Sequence, residues 1–197
     1  MKQTLKAYHF TNDKLRDGRP IPRKRVWLKH KGAVIPCQSG LHASIHPFEA
    51  LQYAPGHLLH LVEVRGEIQN HGKDKIVGRE RRILKTINAE KLLRDFARWN
   101  ALQVLPLWPN APEVVVQFLK TGDESLRAAA RDAATAAARD AVWAAATAAA
   151  RDAAWDAAWA AAWNAAWDAA RAAARDDFIK KSRLKFKNMV NRAFKLA

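Results

Sequence analysis

HLLHLVEV, residues 57–64, is the stretch that decides the fold class. Strand alternation sends His57, Leu59, Leu61 and Glu63 to one face and Leu58, His60, Val62 and Val64 to the other, and both faces are largely apolar. A strand apolar on both sides belongs in the middle of a sheet. Upstream, Ala-Pro-Gly at 54–56 stops a short helix predicted over 47–53, where Pro47 suits a first helical turn. LKAYHF at 5–10 reads as a second strand and residues 81–87 as a third. From Asn88, a candidate cap, the period changes to that of a helix, with Leu92, Leu93, Phe96, Ala97, Ala101 and Val104 on one side until Pro106 and Pro109 end it. A short helix over 112–120 follows. Strands first and helices later predict an α+β fold, with a small mixed N-terminal domain.

Composition sets the expected boundaries: a mixed α/β domain over 1–120, an alanine-rich helical arm over 121–177, and a basic amphipathic helix over 178–197. The formal charge of +15 is unevenly divided, with 21 basic against 10 acidic residues in the first segment, 6 against 9 in the second and 7 against none in the third. Positive charge at both ends concentrates polyanions. Cys37 is the single cysteine, so an internal disulfide and a cysteine-based metal site are excluded, and a reducing compartment is expected. MKQTLKAYHF carries no apolar core of a secretory signal, and no uncharged run in the arm approaches the roughly 20 residues of a spanning helix. The expected location is the cytoplasm.

Residues 11–31 form a proline-containing loop with Lys14, Arg16, Arg19, Arg23, Lys24, Arg25, Lys29 and Lys31 around Trp27. Basic residues beside an aromatic suit phosphates and a stacked base, and they equally suit a solvated loop whose tryptophan enters the core. Arg79, Arg81 and Arg82 extend the candidate nucleic-acid contacts, as do Lys180, Lys181, Arg183, Lys185 and Lys187 of the tail. In that tail Ile179, Phe186, Val190, Ala193, Phe194 and Ala197 share one helical face. Such a helix fits phosphates, an anionic membrane or an acidic partner, or serves only to cover apolar surface.

The arm begins with Thr121 and Glu124 at capping-box spacing and contains neither Gly nor Pro from Glu124 to Asp177. Every fourth residue from Arg127 to Arg175 departs from the alanine background. Each step of four advances roughly 40° beyond a full turn, so the stripe spirals around a straight helix. Trp155, Trp159, Trp163 and Trp167 cover about 120° and make one apolar patch, an expected interface for self-association or for a partner protein.

No P-loop, GxGxxG, HExxH or paired-cysteine spacing is present, and His42 with His46 lacks a third ligand, so no metal is expected. YHFTN (8–12), GLHAS (40–44), ALQYAPG (50–56), LVEVRGEI (61–68), ERRIL (80–84), ARWNALQVLPLW (97–108) and TGDESLRAAA (121–130) together resemble an uncharacterised family of phage and bacterial proteins with a variable alanine-rich tail. That resemblance implies a bacterial intracellular setting and no activity. A looser similarity, to the ADP-ribosyltransferase-like fold, implies NAD held near His9, nicotinamide stacked on Tyr53 and an orienting Glu63 or Glu67. Leu41 and His42 stand where that fold has an aromatic. The expectation is a non-enzymatic, cofactor-free protein that binds a polyanion or a macromolecular partner and self-associates through its arm. A NAD-dependent transferase and a phage accessory protein acting on a host defence component are the alternatives.

Overall fold

The computed structural model describes the backbone of residues 4–72, 74–152 and 157–197, and side chains throughout these except at 104, 138 and 141–174. Contacts divide the chain into two compact units, residues 1–94 with 183–197, and residues 95–182. The units thus depart from the three consecutive segments that composition marks, because the C-terminal residues belong with the N-terminal domain.

The first unit is built on a four-stranded antiparallel sheet in the order β1 (Thr4–Thr11), β4 (Leu58–Arg65), β7 (Glu80–Asn88), β2 (Leu28–Lys29). β4, the stretch quoted first above, is central as expected. A second, three-stranded sheet runs β3 (Leu41–Ala43), β6 (Lys75–Gly78), β5 (Gln69–His71). The two meet at β1, where Tyr8 and Ser44 exchange backbone hydrogen bonds of 2.7 and 2.9 Å. Ala7, Val62, Val64 and Ile83 of the first sheet pack on Ala43 and Ile76 of the second. The approach is close at Gly78, where a Cβ would lie 2.5 Å from Val64 Cγ1.

Leu61 pairs with Lys85 and Val62 with Ile83, which leaves Leu84 as an extra residue in β7. A bulge bends and twists its strand. It divides the other face of the sheet into two ends. At the first end the last turns of α5 (Ala157–Leu196) cover the strands. Phe186, Val190 and Phe194 are buried, Phe186 packs edge-on against Phe48 of α1 (Pro47–Leu51), and Phe194 lies 6.3 Å from Tyr8. Lys85 Nζ donates to the Phe194 carbonyl at 2.8 Å, and Arg183 Nε donates to Glu49 at 2.6 Å. Burial of each such aromatic contributes on the order of 1.5–3 kcal/mol. Of the apolar face expected of the tail, Phe186, Val190 and Phe194 are buried on the domain, whereas Ala197 is exposed beyond the helix and Ile179 belongs to the other unit. The second end carries the charged side chains of Glu63, Arg65, Glu80 and Arg82.

The second unit contains most of α2 (Glu90–Val104), α3 (Glu113–Thr121), α4 (Arg127–Asp152) and the earlier part of α5. Asn88 caps α2 as expected, accepting from the Glu90 amide at 2.9 Å. The capping box expected at Thr121 and Glu124 is not formed. Thr121 is the last residue of α3 and donates back to Gln117, because Gly122 takes a left-handed φ of 70° and ends that helix one residue later. Asp123 caps instead, accepting from the Ser125 amide at 2.9 Å ahead of a single 3₁₀ turn that leads into α4. Glu124 still pairs with Arg127, at 3.2 Å. The expected tryptophan patch, Trp155, Trp159, Trp163 and Trp167, lies outside the described side chains. Among the described residues no helix is long and apolar enough to cross a membrane.

Candidate functional site

The candidate cations fall into three states. Lys14, Arg16, Arg23, Lys24, Arg25, Lys29 and Lys31, all between β1 and β3, are exposed and form no ion pair among the described residues. Their loop is nonetheless pinned. Leu15 is buried, Leu15 N donates to Arg19 O at 2.8 Å, and Arg25, at φ 66°, gives its amide to Ile83 O of β7 at 2.8 Å. Anchored backbone with outward side chains holds these charges in place at little further entropic cost on binding.

The second group is neutralised within the fold. Arg82 pairs with Glu63 and Arg65 with Glu80, each at 2.6 Å, directly across β4 and β7. Trp27 packs on this ladder, with the Arg65 guanidinium 3.8 Å and the Arg82 guanidinium 4.5 Å from its ring centroid. The tryptophan of the basic loop therefore serves the domain through cation–π contact. Arg79 binds Glu67 through two nitrogens and the Gly32 carbonyl at 2.9 Å. Arg19 pairs with Asp17 at 2.6 Å, Arg183 with Glu49, and Lys180 with Asp177 at 3.7 Å. Lys181 and Lys187 are exposed, and Lys185 is half-buried and engaged.

Arg81 is in the third state, buried, so the phosphate contact expected of it is not open at the surface. Only 7% exposed, it points from β7 to the inner face of the sheet and donates to the His42 carbonyl of β3. The cross-strand partner of Arg81 is Val64, whereas those of Arg82 and Glu80 are Glu63 and Arg65, so alternation sends Arg81 to the opposite face from its two partly exposed neighbours. Burial lowers its pKa to about 10, and Asp17 opposes the shift, so the group stays charged at neutral pH.

Arg81 shares a pocket with His9, Thr11 and His60, closed by Leu15, Pro22 and Leu28 from the loop side. His60 is fully buried, with Nε2 2.8 Å from Thr11 Oγ1 and Nδ1 2.8 Å from Thr86 Oγ1. Burial, and secondarily the Arg81 charge, lowers its pKa to about 4. The His9 ring stacks 6.4 Å from that of His60, and burial, followed by the charges of Arg81, His60 and His42, holds its pKa well below the usual imidazole value. Both imidazoles are neutral at pH 7.

This pocket includes none of Tyr53, Glu63 or Glu67, so the four candidate catalytic residues do not line one cavity. Tyr53 is 44% exposed, with its hydroxyl on Asp74 at 2.6 Å and Lys75 Nζ 3.9 Å from its ring. The hydrogen bond to Asp74, with some burial, pushes its pKa up to about 12. Glu63 and Glu67 are held by Arg82 and Arg79. His42 accepts from the Cys37 amide at 3.1 Å, and His46 is exposed ahead of α1. Among the described residues no group of three or more His, Cys, Asp or Glu could hold a metal ion.

Fold and site together define an α+β domain of two antiparallel sheets, ringed by free cations on one loop and holding a buried arginine beneath it. Residues 5–95 match a domain family described as a domain of unknown function (DUF7666). The matched stretch ends beside the boundary of the first unit's N-terminal piece, at Arg94, and the packed residues 183–197 lie outside it. No curated protein and no solved structure matches.

Proposed function

We propose that this protein binds a polyanion, nucleic acid in particular, through the loop between β1 and β3. The supporting observation is the set of seven exposed cations there that no carboxylate among the described residues neutralises. Phosphate neutralisation releases counterions, so affinity for a duplex should fall by about 0.9 log units per contact for each log unit of salt. Trp27, packed on Arg65 and Arg82, supports contact with the phosphate backbone rather than with stacked bases. Anisotropy of a labelled duplex measured over a salt series tests the reading. A steep slope that becomes shallower when Arg23, Lys24 and Arg25 are replaced by alanine supports it, and binding indifferent to salt or to these changes overturns it.

The four-residue sequence repeat supports a second role, self-association through residues 127–175. Light scattering of the full chain measures it: a monomer at all accessible concentrations removes this role and leaves the loop reading intact.

A further inference from the structure

The pocket beneath the basic loop measures about 10 Å³, room for about one water molecule. Its hydrogen-bond inventory is unbalanced. Both ring nitrogens of His60 are taken by Thr11 and Thr86. Arg81 places Nη1 on the His42 carbonyl, and its other donors meet no acceptor among the described residues. Neither ring nitrogen of His9 has a hydrogen-bond partner among those residues either. No carboxylate among them lies within ion-pair distance of Arg81. Asp17 acts on it only through space, with its oxygens engaged by the Arg19 side chain and amide.

A guanidinium removed from water without a counter-charge costs several kcal/mol, and a fold that keeps one normally supplies an anion. The surrounding side chains are apolar or neutral, the accessible donors are N–H groups, and the space suits a single small sphere. Among anions a single atom makes the smallest demand on that room, and the side chains of Leu15, Pro22 and Leu28 offer no donor to the further oxygens of a phosphate, sulfate or carboxylate.

We propose that the pocket binds one halide-sized anion, chloride in the cell, between the Arg81 guanidinium and a ring N–H of His9. The ion neutralises the arginine and ties β1 to β7 beneath the loop, so its occupancy sets how firmly Leu15 and Leu28 are seated. This inference does not rest on the polyanion reading, because the loop cations face solvent while Arg81 faces the core.

Two measurements decide it. Thermal unfolding of the full chain in sodium chloride, bromide and gluconate at equal ionic strength should give higher midpoints in the two halides. The difference should vanish in His9→Phe, which keeps an aromatic ring and removes the N–H, whereas Arg81→Met also removes the charge and is a harsher test of folding. Crystals grown in bromide should show an anomalous peak between Arg81 and His9. Equal midpoints in the three salts, a halide effect that survives His9→Phe, or a pocket without bromide in such crystals would each overturn the proposal. Loss of duplex binding in the loop variants, with the halide effect retained, would separate this site from the polyanion surface.

Discussion

The loop between β1 and β3 and the strand β7 are both rich in arginine and lysine, and the fold treats them in opposite ways. The loop's cations, Arg19 apart, project into water from a backbone fixed by Leu15 and by the Arg25 amide, whereas Arg79, just ahead of β7, and Arg82 are ion-paired and Arg81 is buried. Strand alternation and facing carboxylates account for the second pattern; in the loop, among the described residues, Asp17 is engaged by Arg19 and no carboxylate faces the other cations, which accounts for the first. Net charge thus overstates the surface available to a polyanion. The useful quantity is charge left over after the fold has used its share.

That contrast can be broken most severely through the helix that supports the charged sheet. Phe186→Ala should destabilise the first unit by about 3–5 kcal/mol, because a fully buried aromatic is lost, and a urea titration would read it. An effect below about 1 kcal/mol would mean that the C-terminal residues are not part of the domain's core.

Acid should act next. His60 titrates at about 4 in the fold and near 6.5 when unfolded, so the unfolded state binds the extra proton first. Its contribution is complete above pH 6.5 and is lost as pH falls from there towards 4, by roughly 3 kcal/mol. Urea midpoints that stay flat across that window would contradict the burial of this imidazole. A phosphate-binding surface made of arginine and lysine would keep its charge throughout.

The loop and the strand then separate by function. Replacing Arg23, Lys24 and Arg25 with alanine should leave stability within about 0.5 kcal/mol and reduce the salt slope of duplex binding by about 2 to 3. Arg82→Ala should do the reverse. It should leave the slope nearly unchanged and cost roughly 0.5–1 kcal/mol, since its pair with Glu63 is partly screened and Trp27 loses one of two guanidinium contacts. The smallest effect is expected at Glu124→Gln, an exposed pair worth only a few tenths of a kcal/mol by thermal unfolding.

Legibility followed the strength of the local pattern. β4 could be read because its eight residues are apolar on both faces, β1 and β7 from shorter apolar runs, and α2 because its apolar stripe persists between Asn88 and Pro106. β5 and β6 could not. QNH and KIVG are short, and the Gly72 turn between them reads as ordinary loop. The capping box failed because its residues fit two registers, and only the left-handed Gly122 decides between them. The amphipathic tail was visible, but its occupant was not, since an apolar face does not name the surface that covers it. The pocket was hidden for a similar reason. His9 and His60 are 51 residues apart, and only the register of β1 on β4 sets them side by side, with Arg81 brought in across β7.

Because residues 1–94 and 183–197 form one unit, residues 95–182 are an insertion between its two pieces. Within that insertion Ser182 Oγ donates to Asn100 Oδ1 at 2.7 Å, so the returning segment is fastened close to where the excursion begins. The closure entropy of such an excursion grows only with the logarithm of its length, about 0.6 kcal/mol for a doubling. Adding or deleting four-residue units in the middle should therefore barely alter the stability of the domain, while removing the last turn of the chain should be felt in its core. The length of the middle is thus only loosely tied to the stability of the unit that residues 1–94 and 183–197 build.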